Sequence, residues 1–150
     1  MQSLIFLVGD SAFAVPVTEI EVVLPVPILE PLVGAPAHIA GLLKFQGRLL
    51  PVVDLAILRG LEPAKRHISC RLILVRSESE REAPLALMVD KVLEVFELTP
   101  AGTLSPAVTG EGGGWLQSEV LAAGDLLVRA VHWKALLPED LRHGLRARAE

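Results

Sequence analysis

A proline stands inside the most strand-like run of this chain, and that one residue narrows what the run can join. The run is GLLKFQGRLLPVVDL, from Gly41 to Leu55. It reads as two short strands, Leu42–Gln46 and Arg48–Leu55, folded over a turn at Gln46-Gly47. Pro51 removes a ladder donor, so the second strand is expected at a sheet edge or a bulge. Apolar side chains fall on both faces of that strand. The segment therefore describes a small, strongly bent sheet with an interrupted edge. It carries no nucleophile, no metal-ligand spacing and no phosphate loop.

The same punctuation runs along the whole chain. Eleven prolines and 12 glycines cut a 51% hydrophobic sequence of 150 residues into short runs. Short apolar runs between turn residues suggest β-barrels or a sandwich. Ser3–Val8 and Ala12–Val15 read as strands around Gly9-Asp10, and Glu21–Leu24 as the next strand after a short turn. The proline-rich connection 25–36 is expected to be extended, with one helical turn over Pro36–Ala40. Ala56–Leu61 reads as a short helical or irregular turn. Ser69–Arg76, Ala83–Val89 and Lys91–Leu98 read as further strands, with a hairpin loop at Ser77–Glu82. Gly102–Gly114 reads as loop, and Glu119–Ala122 and Leu126–His132 as a last hairpin. From Trp133 onward the pattern turns helical, with Leu137, Leu141 and Leu145 on one stripe. LLPVVDL at 49–55 faintly echoes LALMVDK at 85–91. Two barrels of related build explain the echo, and chance likeness of aliphatic strands explains it nearly as well.

Composition removes several function classes. The length suits one domain, or two intimately packed halves. No uncharged stretch approaches the roughly 18–20 apolar residues that span a bilayer, so no direct membrane insertion is expected. The start, MQSLIFLVGD, has no basic leader and too short an apolar run for a signal peptide. The single cysteine, Cys70, excludes an internal disulfide framework and fits a reducing cytoplasm, where it reads as a buried, inert thiol. A net charge of −4 argues against a nucleic-acid partner. Arg142, Arg146 and Arg148 read as a solvated helix end. His38, His67, His132 and His143 show no metal-ligand spacing, so no metal and no cofactor is expected. Asp54 and Asp90 read as strand-end residues accepting backbone N–H bonds. The serines lack a nucleophile elbow, and Gly112–Gly114 reads as a flexible loop. No catalytic residue emerges.

Four segments together carry a resemblance: FAVPVTEIEVVLP (13–25), GAPAHIAGLLKFQGRLLPVVDL (34–55), PLALMVDKVLEVFEL (84–98) and GDLLVRAVHWKALL (124–137). In this order and spacing they resemble the CheW-like family, the adaptors of bacterial chemosensory arrays, over roughly Leu4 to Leu137. The resemblance implies a mainly β fold of two packed five-stranded, SH3-like barrels and a short C-terminal α-helix. It places one CheW-like domain over 1–150. The first barrel then spans 13–82, the second 83–137 plus the N-terminal strand, and the helix 138–150. It also implies a non-catalytic adaptor, cytoplasmic and recruited to membrane-associated receptor arrays. The implied partners are the cytoplasmic tip of methyl-accepting chemoreceptors and the regulatory domain of a CheA-like histidine kinase.

The family's receptor groove lies between the barrels, and the matching positions here are Ile20, Val22, Val23, Gly41, Gln46, Val89 and Val92. Gly41 also has a plain backbone reading, a positive φ or a close approach. Two positions depart from the family pattern. Gln46 stands where arginine is usual before the hairpin glycine, and Val22 where glutamate is usual. Glu21 beside it faces the wrong way unless the register shifts. Loss of both groups points to a matched change in partners. Two alternatives stay open: a divergent CheW-like regulator that binds the kinase without the receptor, and an unrelated small β-barrel enzyme or ligand-binding protein.

Overall fold

The computed structural model describes residues 1–62, 68–76, 84–104 and 114–136. The helix expected over 138–150, with Leu137, Leu141, Leu145 and the three terminal arginines, lies outside them. So do His67, His143, the Ser77–Glu82 loop and the first two glycines of the 112–114 run.

Alternating apolar residues sort the chain into two sheets. One contains β1 (Gln2–Val8), β2 (Ser11–Pro16), β8 (Lys91–Glu97), β9 (Thr99–Thr103), β10 (Leu116–Ala123) and β11 (Leu126–Val131), in the order β8-β1-β2-β11-β10-β9. The other contains β3 (Ile20–Pro25), β4 (Ile39–Phe45), β5 (Arg48–Asp54), β6 (Arg71–Val75) and β7 (Leu85–Val89), in the order β3-β6-β7-β5-β4. A one-turn helix, α1 (Leu55–Leu58), follows β5, and 3-10 turns cover Val17–Glu19 and Trp133–Ala135. The fold is mainly β.

Each sheet has two apolar faces, and three clusters result. Ile5, Ala12, Ala14 and Val128 fill one face of the six-stranded sheet. Leu43, Leu50, Val52, Leu72, Leu74 and Met88 fill one face of the five-stranded sheet. The opposite faces share a central cluster, to which one sheet gives Phe6, Phe13 and Val15 and the other Val53, Ile73 and Leu87. Period-two alternation produces this: Ile73 goes to the central cluster while its neighbours Leu72 and Leu74 go to the other.

This sandwiching corrects the reading of Pro51. β5 is an interior strand, flanked by β7 and β4. Leu42, which faces Pro51, gives its own N–H and C=O to Glu30, at 2.7 and 2.9 Å. Those groups point away from β5, so the Pro51 nitrogen points away from β4, toward β7. The parallel pairing of β5 with β7 starts only at Val52. The missing donor therefore falls just before the ladder that would need it.

Other differences follow from pairing that spans long stretches of chain. β7 pairs with β5 and β6, so Leu85–Val89 belongs with the five-stranded sheet, although residue 83 was expected to open the second half. β2, expected with the first half, pairs with β1 and β11. The echoing segments 49–55 and 85–91 supply β5 and β7, parallel neighbours in one sheet, so they are not counterparts from two barrels. Gly102, expected in a loop, lies in β9, which pairs with β10. The helical turn expected at Pro36–Ala40 is a single turn closed by Ile39 N–H to Pro36 O, 3.0 Å, and β4 begins at once.

Each sheet also has a segment that reaches across its order. β8 and β9 stand at opposite ends of the six strands, yet only Leu98 separates them in sequence. The chain leaving β3, at one end of the five strands, bridges through Glu30 to Leu42 of β4 at the other.

That bridge explains Gly41. Its φ is 151°, and a Cβ there would sit 2.6 Å from the Glu30 carbonyl oxygen. Backbone cannot retreat as a side-chain tip does. Gly41→Ala is expected to destabilise by about 3 kcal/mol, since steric overlap adds to a backbone region that side chains avoid. Gly47 has φ 76° with nothing within 4 Å of its ideal Cβ, so Gly47→Ala is expected to cost only about 1 kcal/mol. Urea midpoints of the two variants check the contrast.

Candidate functional site

Two edge strands, one from each sheet, flank the central cluster. On β3, Ile20 faces Val75 and Val23 faces Ile73, both members of that cluster. On β8, Val92 faces Phe6 and Val95 faces Leu4, also members. Paired residues share a face, so these four side chains turn toward the same core. Ile20 and Val92 pack against it, while Val23 and Val95 are 36% and 49% exposed. The rim of the core thus carries an aliphatic pair on each of these two strands, with the outer member of each pair exposed.

Of the seven positions expected in a groove, Ile20, Val23 and Val92 share this rim. Val22 faces Leu74 and packs into the cluster of its own sheet. Val89 is fully buried in the central cluster, with no surface to offer. Gly41 is buried under Glu30, and Gln46 is exposed at the β4–β5 turn. That turn has positive φ at both central residues, 51° at Gln46 and 76° at Gly47, as a type I′ hairpin requires. Val95 was missed. Its signal is weak, because the register breaks between its partner Leu4 and Phe6, which spoils simple alternation along VLEVFEL.

The β3 register breaks between Ile20 and Val22, and Glu21 is the extra residue. Its carboxylate forms an ion pair with the Arg48 guanidinium. Arg48 also lies over the Phe45 ring, 5.6 Å from its centroid. The chain therefore has a glutamate–arginine pair near the two departures, carried by neighbouring positions. The bulge supplies the register shift that strand alternation demands. Glu21, Val22, Phe45, Gln46, Arg48 and Arg76 together line an open cleft of about 520 Å³. Sequence alone hides this, because β3 and β4 are at opposite ends of their sheet's order.

A second cleft, about 390 Å³, includes Asp10, Phe13, Arg59, Leu127 and Arg129. Its arginines already serve the fold: Arg59 donates to Val8 O at 2.6 Å, and Arg129 donates twice to Gln117 O.

The polar strand ends are structural. Asp54 Oδ1 accepts from Ala56 N at 3.0 Å, capping α1, and Asp90 Oδ2 accepts from Gly9 N at 2.6 Å. The Trp133 indole N–H donates to Glu19 Oε1 at 2.8 Å, tying the 3-10 turn after β11 to the residue before β3. His38 Nε2 lies 3.3 Å from Leu136 O on the same connection. Cys70 is buried. Among the described residues no three His, Cys, Asp or Glu gather at metal-binding distance, and no helix is long and apolar enough to cross a membrane.

This arrangement has known counterparts. The family model of the CheW-like domain matches residues 2–140. The chain belongs to the CheW-like domain family. Among CheW-like relatives, the chemotaxis protein CheW of Rhizobium meliloti is 28% identical over 141 residues, covering 91% of this chain and 87% of that protein. A probable chemotaxis protein CheW of Rhizobium etli is 26% identical over 94 residues, 63% of this chain and 59% of that protein. In structure the chain resembles the scaffolding protein TtCheW of Thermoanaerobacter tengcongensis. The TM-score is 0.73 at 17% identity, over 87% of each chain, a likeness of fold.

The two valines separate rim from core. Val89→Asp buries an unpaired carboxylate and is expected to unfold the protein, whereas Val23→Asp, at a position 36% exposed, is expected to change stability by less than about 1 kcal/mol. Thermal melts followed by circular dichroism check this.

Proposed function

We propose that this chain is a non-catalytic chemosensory adaptor that couples the cytoplasmic tips of chemoreceptors to the regulatory domain of a CheA-like histidine kinase. The observation that carries the reading is the apolar rim between the sheets, in a chain whose family model covers 2–140. Its relatives bear the names of chemotaxis proteins, and a structural neighbour is named a scaffolding protein. Burying an aliphatic side chain contributes about 1.5–3 kcal/mol, and a few such contacts suit a reversible complex once association costs are deducted. A receptor helix laid along Ile20, Val23, Val92 and Val95 is the proposed occupant, and it would recruit the protein to membrane-associated arrays.

On this reading each sheet acts as a small barrel. The continuity of β8 with β9 through Leu98, and the Glu30–Leu42 bridge, support a closing strand in each. Closed edges leave the faces, rather than backbone ladders, as the docking surfaces.

Co-sedimentation with receptor-containing membranes and the kinase tests the proposal. The wild-type chain is expected in the pellet with both. Val23→Asp is expected to weaken receptor binding by tenfold or more, roughly one lost aliphatic contact, while kinase binding persists. A chain that binds the kinase but never enters receptor-containing complexes would overturn the bridging role.

A further inference from the structure

We propose that Glu19 is a positioning residue for the rim: through its bond to Trp133 it sets how β3 is placed against the six-stranded sheet. The spacing of the two aliphatic pairs, and so their affinity for an apolar helix, then depends on that bond. The occupant rests on the adaptor reading, while the positioning concerns this chain alone. Among the described strands the chain passes between the sheets twice, from β2 to β3 and from β7 to β8. The strands entered at these crossings are the two that carry the rim, with Ile20 and Val23 on one and Val92 and Val95 on the other.

A carboxylate stands at each crossing, immediately before the rim strand. Asp90 precedes β8, its N–H donating to Leu7 O at 3.0 Å and its Oδ2 accepting from Gly9 N at 2.6 Å. Both partners are backbone of β1 and its turn, so β8 starts from a seat on its own sheet. Glu19 precedes β3 and bonds to both sheets. Its carbonyl accepts from the Arg76 N–H after β6 at 2.9 Å, and its Oε1 accepts from the Trp133 indole after β11 at 2.8 Å. The cross-sheet tie at β3 is therefore a bond between two side chains.

Trp133 makes that tie stiff. Its ring is 1% exposed in the central cluster, so packing sets its direction, and its N–H needs the partner it finds. The same turn meets the far end of the five-stranded order: Leu136 O lies 3.3 Å from Nε2 of His38, the residue before β4. One turn after β11 thus contacts the residues that precede both end strands of the other sheet. A helix about 10–12 Å across with its side chains, touching both aliphatic pairs, can follow only small changes in their spacing. Pairs held at that spacing beforehand lose little freedom on binding.

The test uses the full chain and, as probe, a soluble receptor cytoplasmic fragment from the same genome. Calorimetry is run well below the melting temperature of every variant. Trp133→Phe keeps a ring and removes the donor, Glu19→Ala removes the acceptor, and Glu19→Gln keeps an acceptor oxygen without the charge. Trp133→Phe and Glu19→Ala are each expected to weaken the fragment about tenfold, and the double variant no more than either alone. Glu19→Gln is expected to stay within about twofold of wild type. Spin labels on Val23→Cys and Val95→Cys read the spacing without any receptor. Their distance distribution is expected to shift or broaden with Glu19→Ala and to hold with Glu19→Gln. Unchanged affinity or unchanged label distances in folded Glu19→Ala or Trp133→Phe proteins overturn the proposal, and so do additive losses in the double variant. Glu19→Gln as weak as Glu19→Ala overturns it too, by making the carboxylate a direct contact of the receptor. If the wild-type chain does not bind the fragment, the adaptor reading fails, and the label distances still decide whether Glu19 sets the rim.

Discussion

The packing of the two sheets against one shared cluster is the constraint on which the other features depend. Four of the six aromatic residues, Phe6, Phe13, Trp115 and Trp133, lie in that cluster. Phe13 stands 6.0 Å from both Phe6 and Trp115, ring centre to ring centre, in tilted contacts of the favoured kind. Each sheet gives an apolar face to this one cluster, so neither sheet stands without the other. The rim arises from the same constraint. Where β3 and β8 run out beyond the cluster, their aliphatic residues keep the core's chemistry but lose its cover.

Much of the strand pattern could be read from the residues, because turn chemistry is local. Gln46-Gly47, Gly9-Asp10 and Gly124-Asp125 mark hairpins whose partners follow at once. Pro51 was misleading for a physical reason. A missing donor rules out a central strand only where a ladder needs it, and the β5–β7 ladder begins one residue later. The sheet membership of β2 and β7 was equally hidden, since parallel pairing with a distant strand leaves no mark in the local sequence.

The candidate rim was legible in outline only. Ile20, Val23 and Val92 fall on the rim, while Val89, one more valine in an aliphatic run, is core. Nothing in the spacing separates these, because burial depends on what lies opposite. The Glu21–Arg48 pair needed the bulge to be seen. At this place the fold has a one-residue bulge and a neighbouring ion pair, which simple strand alternation does not reveal. The slip keeps a polar pair at the hairpin without moving the aliphatic face.

The placement of the aromatic residues has an optical consequence. The chain has no tyrosine and two tryptophans, Trp115 and Trp133, both in the shared cluster. Intrinsic emission from this protein is therefore a gauge of how the two sheets are seated on each other. A loosening confined to the Leu43–Leu50–Leu72 side of the five-stranded sheet would pass in the dark. Trp133 also donates to Glu19, one residue before β3, so the same light reports on the start of that edge strand without any added label.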